Sequence, residues 1–599
     1  MKVKTIRKQM NLLIVLFTII LFLLTGCKQD KLMVVDSNIL DDKVILSSLS
    51  TVKVEFNHEI KQVEAIIKEK QVEIKDFDLS NEGNKISISN LSLEAGSVYQ
   101  IFLKASDKQG NSLNLKKELL ASNPTLMQAF YWELDKGEYA KKYPEEHNFW
   151  QLLGQRSEEL ASVGISELWF PPANKVHEPI DEGYGTYDLW DLGEFDQAGS
   201  IRTKYGTKEE LEEAIDSLHQ VGIKAYYDVV FNHRIAAGNQ NLEVVPLATG
   251  EKAKAYTKLS PLKGREKYYS RSQEWQWDWR AFDGVDHLVG RESLKGNLFL
   301  GKDWDDSYAK DYLMALDVDY ENENVRHELK EWGAWIINEI GFDGFRIDTI
   351  QHTESEYMKQ WLSYVQENTE KKTFFVGEAW IRNTMGLNFF LYDVNHPDLT
   401  VFDFPLRKNY FEKMRDGSLN MAALSRAGLV NNRRSSNKAV TFVDNHDTGR
   451  DHKEYTYPIT KRKYQAYTYI LLRETGLPMV YWKDYYQDNM KSGLDKLLEA
   501  RSHYAYGPGR EVENNDRDTY SYVREGLKNI PDTGLVMMIS QGTSGDLTTK
   551  RIDSGKSNTE FYDITANIEE RVVTDEEGYG EFKVRNDENT GWSVWVPVI

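Results

Sequence analysis

Acidic side chains stand at the ends of four predicted strands, and this placement is the strongest chemical signal in the sequence. They are Asp228, Asp348, Glu378 and the pair Asp444 and Asp447. In a barrel of parallel strands the carboxyl ends of the strands meet at one mouth, so these acids should converge. No cysteine nucleophile, glycine-rich phosphate loop or zinc-type histidine cluster accompanies them. Convergent carboxylates predict glycoside hydrolysis, in which one carboxylate attacks and another carboxyl transfers a proton.

Arg346 lies on the same strand face as Asp348, in the stretch GFDGFRIDTIQH of residues 341–352. A strand between a glycine turn and a helix is usually buried on both faces, so a charged pair there needs a reason. One interpretation is a structural ion pair, and the other is an arginine that keeps a catalytic carboxylate ionised. The acids at the other strand ends favour the second interpretation.

Eight predicted strands alternate with amphipathic helices between residues 123 and 505, which predicts a (β/α)₈ TIM barrel. The strand segments are LMQAFYW (126–132), ISELWF (165–170), KAYYDVV (224–230), GFRID (344–348), TFFVGE (373–378), TVFDF (400–404), AVTFVD (439–444) and LPMVYW (477–482). Over a hundred residues separate the third strand from the fourth, far more than one helix needs. We therefore expect an inserted domain over about residues 232–321.

Residues on both sides of the barrel alternate between apolar and polar with the period of strands. Residues 33–122 predict an N-terminal immunoglobulin-like β-sandwich, and residues 506–599 predict a C-terminal antiparallel β domain. The N-terminal domain is either a spacer or a glycan-binding module. We favour a spacer, because no exposed aromatic platform is visible in the sequence.

The N-terminus predicts export and lipidation. Lys2, Lys4, Arg7 and Lys8 precede an apolar run from Leu12 to Leu24, which is typical of a signal peptide. The run ends in LTGC, which resembles the bacterial lipobox, so residues 1–27 are expected to direct lipidation of Cys27. Cys27 is the only cysteine, which excludes an intramolecular disulfide. The net charge of −20 argues against nucleic acid as a partner.

Four motifs resemble the four signature regions of the α-amylase family, glycoside hydrolase family 13. They are DVVFNH (228–233), GFRIDTIQH (344–352), VGEAW (376–380) and FVDNHD (442–447). Further segments, among them GYGTYDLWDLGEFDQ and YLMALDVDYEN, resemble the bacterial liquefying enzymes, and the resemblance spans about residues 124–599. It implies a monomeric, endo-acting hydrolase that cleaves the α-1,4 bonds of starch and maltooligosaccharides with retention of configuration.

The resemblance also implies roles for individual residues. Asp348 would be the nucleophile, Glu378 the general acid and base, and Asp447 the residue that favours the distorted transition state. Expected sugar-binding residues are Tyr184, His233, Arg346, Gln351 and His446, with Asp228 and Asn232 as supports of the site. Gln351 is a departure, because the family usually has lysine at this position. We expect the shorter, uncharged side chain to weaken binding of the leaving group.

A calcium ion is the cofactor that the resemblance implies for the inserted domain. The expected ligands are Asn232, Asp311, Asp317 and the backbone carbonyl of His352. Asp283 matches a second, more variable site, to which Asp303 and Asp305 cannot be assigned by alignment. Oxygen ligands of this kind suit Ca²⁺. The alternative is that these acids are simply solvated at the surface.

Two other functions are compatible with parts of this pattern. A glucan transferase or a maltooligosaccharide-forming amylase would share the motifs and differ in its loops. A starch-binding lipoprotein that has lost catalysis would share the fold. The presence of Asp348, Glu378 and Asp447 together argues against a pure binding protein, which need not keep all three.

Overall fold

The computed structural model describes residues 31–37, 43–46, 52–69, 72–75, 77–89, 91, 93, 96–132, 134, 148–259, 276–305, 307–309, 312–450 and 457–598. The predicted signal segment 1–27, with Cys27, and the predicted ligand Asp311 lie outside these residues. In this described part of the chain, no helix is both long and apolar enough to cross a bilayer.

Eight parallel strands close into a barrel, which confirms the predicted (β/α)₈ fold. We number them β1 Leu126–Gln128, β2 Glu167–Trp169, β3 Lys224–Val229, β4 Gly344–Ile347, β5 Phe374–Gly377, β6 Leu399–Phe402, β7 Ala439–Phe442 and β8 Leu477–Tyr481. Every strand pairs with its neighbours in chain order, and β8 closes the barrel against β1. All eight lie within, or within one residue of, the segments predicted from the sequence.

The register of β3, β4 and β5 determines where the catalytic side chains lie. Asp228 on β3 pairs with Arg346 on β4, so their side chains are neighbours on one sheet. The backbone N–H of Asp348 donates to the Val229 carbonyl, and that of Glu378 donates to the Ile347 carbonyl, both at 2.9 Å. The two carboxyl groups are therefore anchored one residue beyond the ends of β4 and β5.

A glycine allows β4 and β5 to approach closely. A Cβ on Gly344 would lie 2.4 Å from the carbonyl oxygen of Phe374 on the neighbouring strand. That distance is impossible for a real side chain, so only glycine permits this pairing.

Helices surround the barrel and bury apolar side chains in its core. Those of ten or more described residues are α1 Phe149–Ser162, α2 Lys208–Gln220, α3 Glu323–Trp335, α4 Ser355–Glu367, α5 Thr384–Val394, α6 Lys463–Leu472 and α7 Lys491–His503. A π-helical turn, Ile336–Ile340, continues α3. Thr207 and Glu210 form a capping box that starts α2, because each side chain accepts from the other residue's backbone N–H. Short helical segments are Asn239–Asn241, Trp279–Ala281, Ile350–His352, Phe404–Leu406, Arg407–Phe411, Glu412–Arg415, Met421–Arg426, Leu429–Asn431, Ser436–Lys438 and Lys483–Gln487.

Strands between β3 and β4 form the inserted region that the sequence predicted. One sheet contains, in order, His233–Arg234, Leu316–Val318, Phe282–Leu288 and Arg291–Leu298, and a second pairs Leu242–Pro246 with Lys252–Tyr256. Between β2 and β3, Lys175–Val176 pairs with Thr186–Asp188. The first sheet begins at His233, shortly after the end of β3, so the insertion starts at the mouth of the barrel.

The N-terminal region is rich in β-structure, as predicted, and forms a compact unit of its own. One antiparallel sheet has the order Val34–Ser37, Val52–Phe56, Lys85–Ser89 and Asp78–Glu82. The other has the order Lys43–Leu46, Ser112–Ala121, Val98–Asp107, Ile60–Glu69 and Val72–Ile74. Burial alternates along Val52–Phe56 and Val98–Asp107, which is typical of strands with one face in a core. The role of this unit as a spacer stays a prediction.

The C-terminal region is an antiparallel β domain, as predicted. Its six-stranded sheet has the order Gly509–Glu511, Thr519–Arg524, Leu535–Ser540, Trp592–Pro597, Glu560–Asp563 and Val572–Val573, and Leu547–Asp553 pairs with Tyr579–Arg585. Tyr464 on α6 stacks on Trp592 with 4.7 Å between ring centroids, so this domain packs against the barrel helices.

Candidate active site

Arg346 is a fully buried cation at the mouth of the barrel. Its Nη1 donates hydrogen bonds to Asp228 Oδ1 and Asp348 Oδ1, both at 2.7 Å. Its Nη2 lies 2.7 Å from Glu378 Oε1, but the two groups are misaligned, and neither atom makes a hydrogen bond to any described residue. The guanidinium also lies over the Trp169 ring, 4.8 Å from its centroid. One positive charge thus lies within 2.7 Å of an oxygen atom of each of three carboxyl groups.

Charge balance indicates which of the three carboxyl groups holds a proton. One guanidinium cannot neutralise three buried carboxylates, and an unpaired buried charge is costly. Asp228 and Asp348 accept well-aligned hydrogen bonds from Arg346, whereas Glu378 does not. Burial raises the pKa of Glu378 to about 8; Arg346 lowers it, and the charges of Asp348 and Asp447 raise it. Burial raises the pKa of Asp228 as well, to about 7, so of these two carboxyl groups Glu378 holds its proton more firmly at neutral pH.

Thr349 joins the two catalytic strand ends through a strained backbone. Its φ and ψ are both 40°, a left-handed conformation that β-branched residues rarely adopt. In this conformation its hydroxyl donates to Asp348 Oδ2 at 3.1 Å, and its backbone N–H points at Glu378 Oε2 at 3.4 Å. Strain of this kind costs about 1–3 kcal/mol and is concentrated at functional sites. The distortion places two donors between the nucleophile and the acid.

A chain of hydrogen bonds holds His446 and Tyr184 against Asp228. The backbone N–H of His446 donates to Gln128 Oε1, so Gln128 Nε2 must be the atom that donates to His446 Nδ1, at 2.8 Å. His446 Nε2 then carries the proton toward the Tyr184 hydroxyl at 2.9 Å, and that hydroxyl donates to Asp228 Oδ2 at 2.8 Å. Trp169 Nε1 donates to the same Asp228 oxygen at 3.0 Å. Burial lowers the pKa of His446 well below its usual value, so the ring is neutral.

The turn after β7 positions Asp447. Asn445 Oδ1 accepts the backbone N–H groups of Asp447 and Thr448, at 3.1 and 2.8 Å. Trp132 Nε1 donates to Asp447 Oδ1 at 3.1 Å, and the Arg450 guanidinium lies over the Trp132 ring at 4.2 Å. The side chain of Asp447 is about a third exposed, at 31%. Asp447 is therefore held in place and still open to a ligand.

This geometry agrees with two family models. Residues 150–491 match the model described as "Alpha amylase, catalytic domain", and residues 535–596 match the model described as "Alpha-amylase C-terminal". The chain belongs to the α-amylase family. It is an enzyme, a glycoside hydrolase, and Asp348, Glu378 and Asp447 lie inside the matched catalytic domain.

Individual relatives support the same assignment. An alpha-amylase from Bacillus licheniformis is 37% identical over 489 residues, which cover 77% of this chain and 92% of the relative. A glucan 1,4-alpha-maltohexaosidase from Bacillus sp. (strain 707) is 34% identical over 505 residues, which cover 79% and 92%. An Anoxybacillus alpha-amylase structure matches with a TM-score of 0.53 at 15% identity, over 80% of this chain and 98% of that one. This last likeness shows the fold alone.

The structure gathers most of the residues for which the α-amylase resemblance implied sugar contacts. Arg346, Tyr184 and His446 lie in the hydrogen-bonded group around the carboxylates, and the Tyr184 and His446 rings stack at 5.3 Å. His233 is buried, and its Nε2 lies 3.2 Å from the Tyr184 carbonyl oxygen. Asn232 Nδ2 lies 3.3 Å from His233 Nδ1, so the order of β3 and its loop places both beside Tyr184. The sugar contacts themselves stay predictions.

Gln351 occupies a different place from the other predicted sugar-binding residues. It is 7% exposed, and its carbonyl oxygen accepts the backbone N–H of Ala309 in the inserted region at 2.8 Å. Its side-chain Oε1 is buried without a hydrogen-bond partner among the described residues. None of these described contacts reaches the catalytic carboxylates. The weaker leaving-group binding expected from the Lys-to-Gln departure stays a prediction.

Two acids of the inserted region, Asp283 and Asp317, are buried. Asn232 and Asp317 are close, because the Val318 N–H donates to the Asn232 carbonyl at 3.0 Å. Asp283 is 2% exposed, and its Oδ2 has no hydrogen-bond partner in the described part of the chain. Burial, together with the nearby charge of Asp305, raises the pKa of Asp283 to about 9.

These acids do not by themselves complete a metal centre. Among the described residues, no group of three or more His, Cys, Asp or Glu side chains is arranged to hold a metal ion. His352 ends the short helix Ile350–His352, and Asp303 is exposed. Because Asp311 lies outside the described residues, the predicted ligand set is only partly placed.

Four supporting residues were not identified from the sequence: Gln128, Trp132, Trp169 and Thr349. Gln128 and Trp132 stand at or just after the end of β1, so the rule that pointed to the acids also applied to them. Trp169 ends β2 in the same way. The left-handed conformation of Thr349 has no local signal, because threonine normally avoids it.

The buried state of Glu378 predicts the alkaline limit of activity. We expect kcat/KM to be level at neutral pH and to fall as pH rises through about 8, because the catalytic acid loses its proton there. The measurement is kcat/KM against pH on a maltooligosaccharide with an uncharged leaving group. The residual activity of Glu378→Gln should lack this alkaline limb. An alkaline limb in the wild-type enzyme below pH about 6 would contradict the assignment, because it would match an ordinary glutamate.

Proposed function

We propose that this enzyme hydrolyses internal α-1,4-glucosidic bonds of starch and related glucans with retention of anomeric configuration. The observation that carries the proposal is the pairing of Asp348 and Glu378 on the two terminal nitrogens of one buried guanidinium. Retaining glycosidases need two carboxyl groups only about 5–5.5 Å apart, and inverting ones need about 6.5–9.5 Å. A shared guanidinium favours the shorter separation.

In the first step the Asp348 carboxylate attacks the anomeric carbon while Glu378 protonates the glycosidic oxygen. The carbon–oxygen bond to the leaving sugar breaks, and a covalent glycosyl-enzyme forms on Asp348. Arg346 Nη1 donates to one oxygen of Asp348 at 2.7 Å, and the Thr349 hydroxyl donates to the other at 3.1 Å. Asp447, held by Trp132 and still open to solvent, is placed to bind hydroxyls of the sugar as it flattens.

In the second step Glu378 acts as a base. It takes a proton from water, the water oxygen attacks the anomeric carbon, and the bond to Asp348 breaks, which returns both carboxyl groups to their starting states. During this cycle Glu378 passes through an ionised form next to Arg346 Nη2 at 2.7 Å. The cation is thus close enough to stabilise the glutamate without holding it permanently in that form.

Three rival outcomes are tested by one product analysis on soluble starch. The relative named glucan 1,4-alpha-maltohexaosidase raises the possibility of a maltooligosaccharide-forming enzyme, in which one product length dominates. Endo-hydrolysis predicts a rapid fall in viscosity and a spread of products, whereas a glucan transferase would give longer chains. A pure binding protein would release no sugar.

Loss of either catalytic carboxyl group should abolish turnover without abolishing binding. We expect Asp348→Asn and Glu378→Gln each to lower kcat by at least about 10³-fold, because they remove interactions of the transition state. Starch affinity, measured by gel retardation, should change by less than about threefold. Proton NMR of early products should show the α anomer.

The matched control is Glu339→Gln, which removes an exposed acid at the end of the π-helical turn after α3. It should behave as wild type. Near-normal activity of Asp348→Asn, or β anomers among the first products, would refute the mechanism.

We further propose that Ca²⁺ binds at the base of the inserted region, through oxygens of Asn232, Asp317, the His352 carbonyl and Asp311. What supports the fit is the burial of the Asp317 carboxylate close to Asn232, since oxygens of this kind are the ligands that Ca²⁺ prefers. The ion would join the insertion to the barrel. These residues would hold it, and no catalytic step depends on it.

Removal of calcium should therefore lower thermal stability. We expect EDTA to reduce Tm and added Ca²⁺ to restore it, since a ligand present at 100 times its Kd stabilises the folded state by about 2.7 kcal/mol. Asp317→Asn should reduce the response to Ca²⁺, and Glu339→Gln, at an exposed acid outside the inserted region, is the control. An unchanged Tm in EDTA together with no bound calcium by elemental analysis would refute this site.

Finally, we propose that the protein is exported and lipid-anchored through Cys27, which is supported by the basic segment, apolar run and LTGC sequence before it. Bacterial lipoproteins need more than one acyl chain for stable anchoring. Cys27→Ser should therefore move the enzyme from the membrane fraction to the soluble fraction, whereas Gln29→Ser should not. Membrane retention of Cys27→Ser equal to that of the wild type would show that lipidation of Cys27 is not the anchor.

A further inference from the structure

Helix α5 exposes a stripe of three large apolar side chains. Met385, Phe389 and Tyr392 are 69%, 59% and 81% exposed. Their spacing of four and three residues places them on one face of the helix. Single exposed apolar residues are ordinary, but a contiguous row of them marks a surface that binds something. We call these three residues the α5 stripe.

The opposite face of α5 is firmly packed, so the stripe is not a loosely folded segment. Leu387, Phe390 and Val394 are completely buried, and the Tyr308 ring meets Phe390 edge-on at 5.6 Å. The Asn383 side chain caps the first turn by accepting the Gly386 N–H at 2.7 Å. A rigid helix presents its outer side chains without an ordering cost when a ligand binds.

The stripe begins close to the catalytic acid. Helix α5 starts at Thr384, directly after the loop that follows Glu378 and β5. Trp380 lies in that loop, is 37% exposed, and its indole interacts with the Glu378 carboxyl. In a (β/α)₈ barrel the helix after a strand starts at the mouth and runs down the outside. Met385 is therefore nearest the cleft, and Phe389 and Tyr392 follow it outward.

We propose that the α5 stripe is a second glucan-binding surface, which holds a starch chain that extends from the active site. The inference rests on the proposed function, because that function supplies a polymer longer than the cleft. Flat aromatic rings present an apolar face to the apolar face of a sugar ring, and the Tyr392 hydroxyl adds a hydrogen-bonding group. Trp380 lies between Glu378 and α5 along the polypeptide. One glucan chain that leaves the cleft beside Trp380 would therefore reach the α5 stripe next.

Two other occupants fit the stripe less well. Helices that lie on membranes carry lysine and arginine on their polar face, whereas TMGLNFFLYDV of α5 contains neither and includes Asp393. The net charge of −20 also opposes an anionic lipid surface. A second copy of the protein would need about 800 Å² on each partner, more than three side chains of one helix supply. A neutral glucan requires neither basic residues nor a large area.

The test is the full-length double variant Phe389→Ala with Tyr392→Ala. Both positions are exposed, so the fold should be kept, which circular dichroism and Tm would verify. We expect binding to insoluble starch granules to weaken by about tenfold, because two aromatic stacking contacts are lost. Cleavage of soluble maltopentaose, which fits inside the cleft, should stay within about twofold of wild type. Leu294→Ala, which removes a 99% exposed side chain from the inserted region, is the matched control.

Three results would overturn the inference: unchanged granule binding in the double variant, an equal loss in Leu294→Ala, or a loss of self-association or of binding to phosphatidylglycerol vesicles without any loss of starch binding. Failure of the proposed function would look different. In that case the wild type would release no sugar from any glucan, whereas the difference in granule binding between wild type and double variant would remain measurable.

Discussion

The buried guanidinium of Arg346 is the interaction on which the rest of the active site depends. Removing this cation from water costs free energy. The two short hydrogen bonds from Arg346 Nη1 to Asp228 and Asp348 offset that cost. The Trp169 ring covers the cation at 4.8 Å and excludes water from it. Burial lowers the pKa of Arg346 and the surrounding carboxylates raise it well above its usual value, so the charge is permanent. A permanent charge at this point lowers the pKa of Asp228, Glu378 and Asp447 and so opposes burial, which has the larger effect and raises it.

The barrel register explains why this cluster could be predicted from strand ends. Parallel strands place their last residues at one mouth, and Asp228 pairs with Arg346 in the adjacent strand. Acids at strand ends are visible in a linear sequence, because strand periodicity and length locate the ends. Thus Asp348 and Glu378 could be located before the structure was known. The structure adds which of these side chains pair with each other, and this pairing depends on contacts across the barrel.

Features that arise from contacts distant in sequence could not be read in advance. Gln128 fixes the tautomer of His446 across 318 positions of the chain, and Trp132 reaches Asp447 across 315. The strained conformation of Thr349 exists only because its neighbours hold it there. The backbone contact between Gln351 and the inserted region is another feature of this kind, and the predicted sugar contact of Gln351 stays a prediction.

Catalysis by this site requires that Glu378 change its protonation state twice in each cycle, and the geometry of Arg346 makes this possible. If Nη2 donated a well-aligned hydrogen bond, the ionised glutamate would be stabilised throughout and the acid would be lost at neutral pH. If the cation were absent, burial would keep Glu378 protonated and it could not act as a base. Arg346 Nη2 and Glu378 Oε1 lie 2.7 Å apart but are misaligned for a hydrogen bond, and this arrangement lies between the two limits. Asp348 acts only as the nucleophile in this cycle, and it receives the aligned hydrogen bond from Arg346. Burial, which has the largest effect on the pKa of Glu378, and the aligned hydrogen bond that Asp348 accepts from Arg346 together distinguish the acid from the nucleophile.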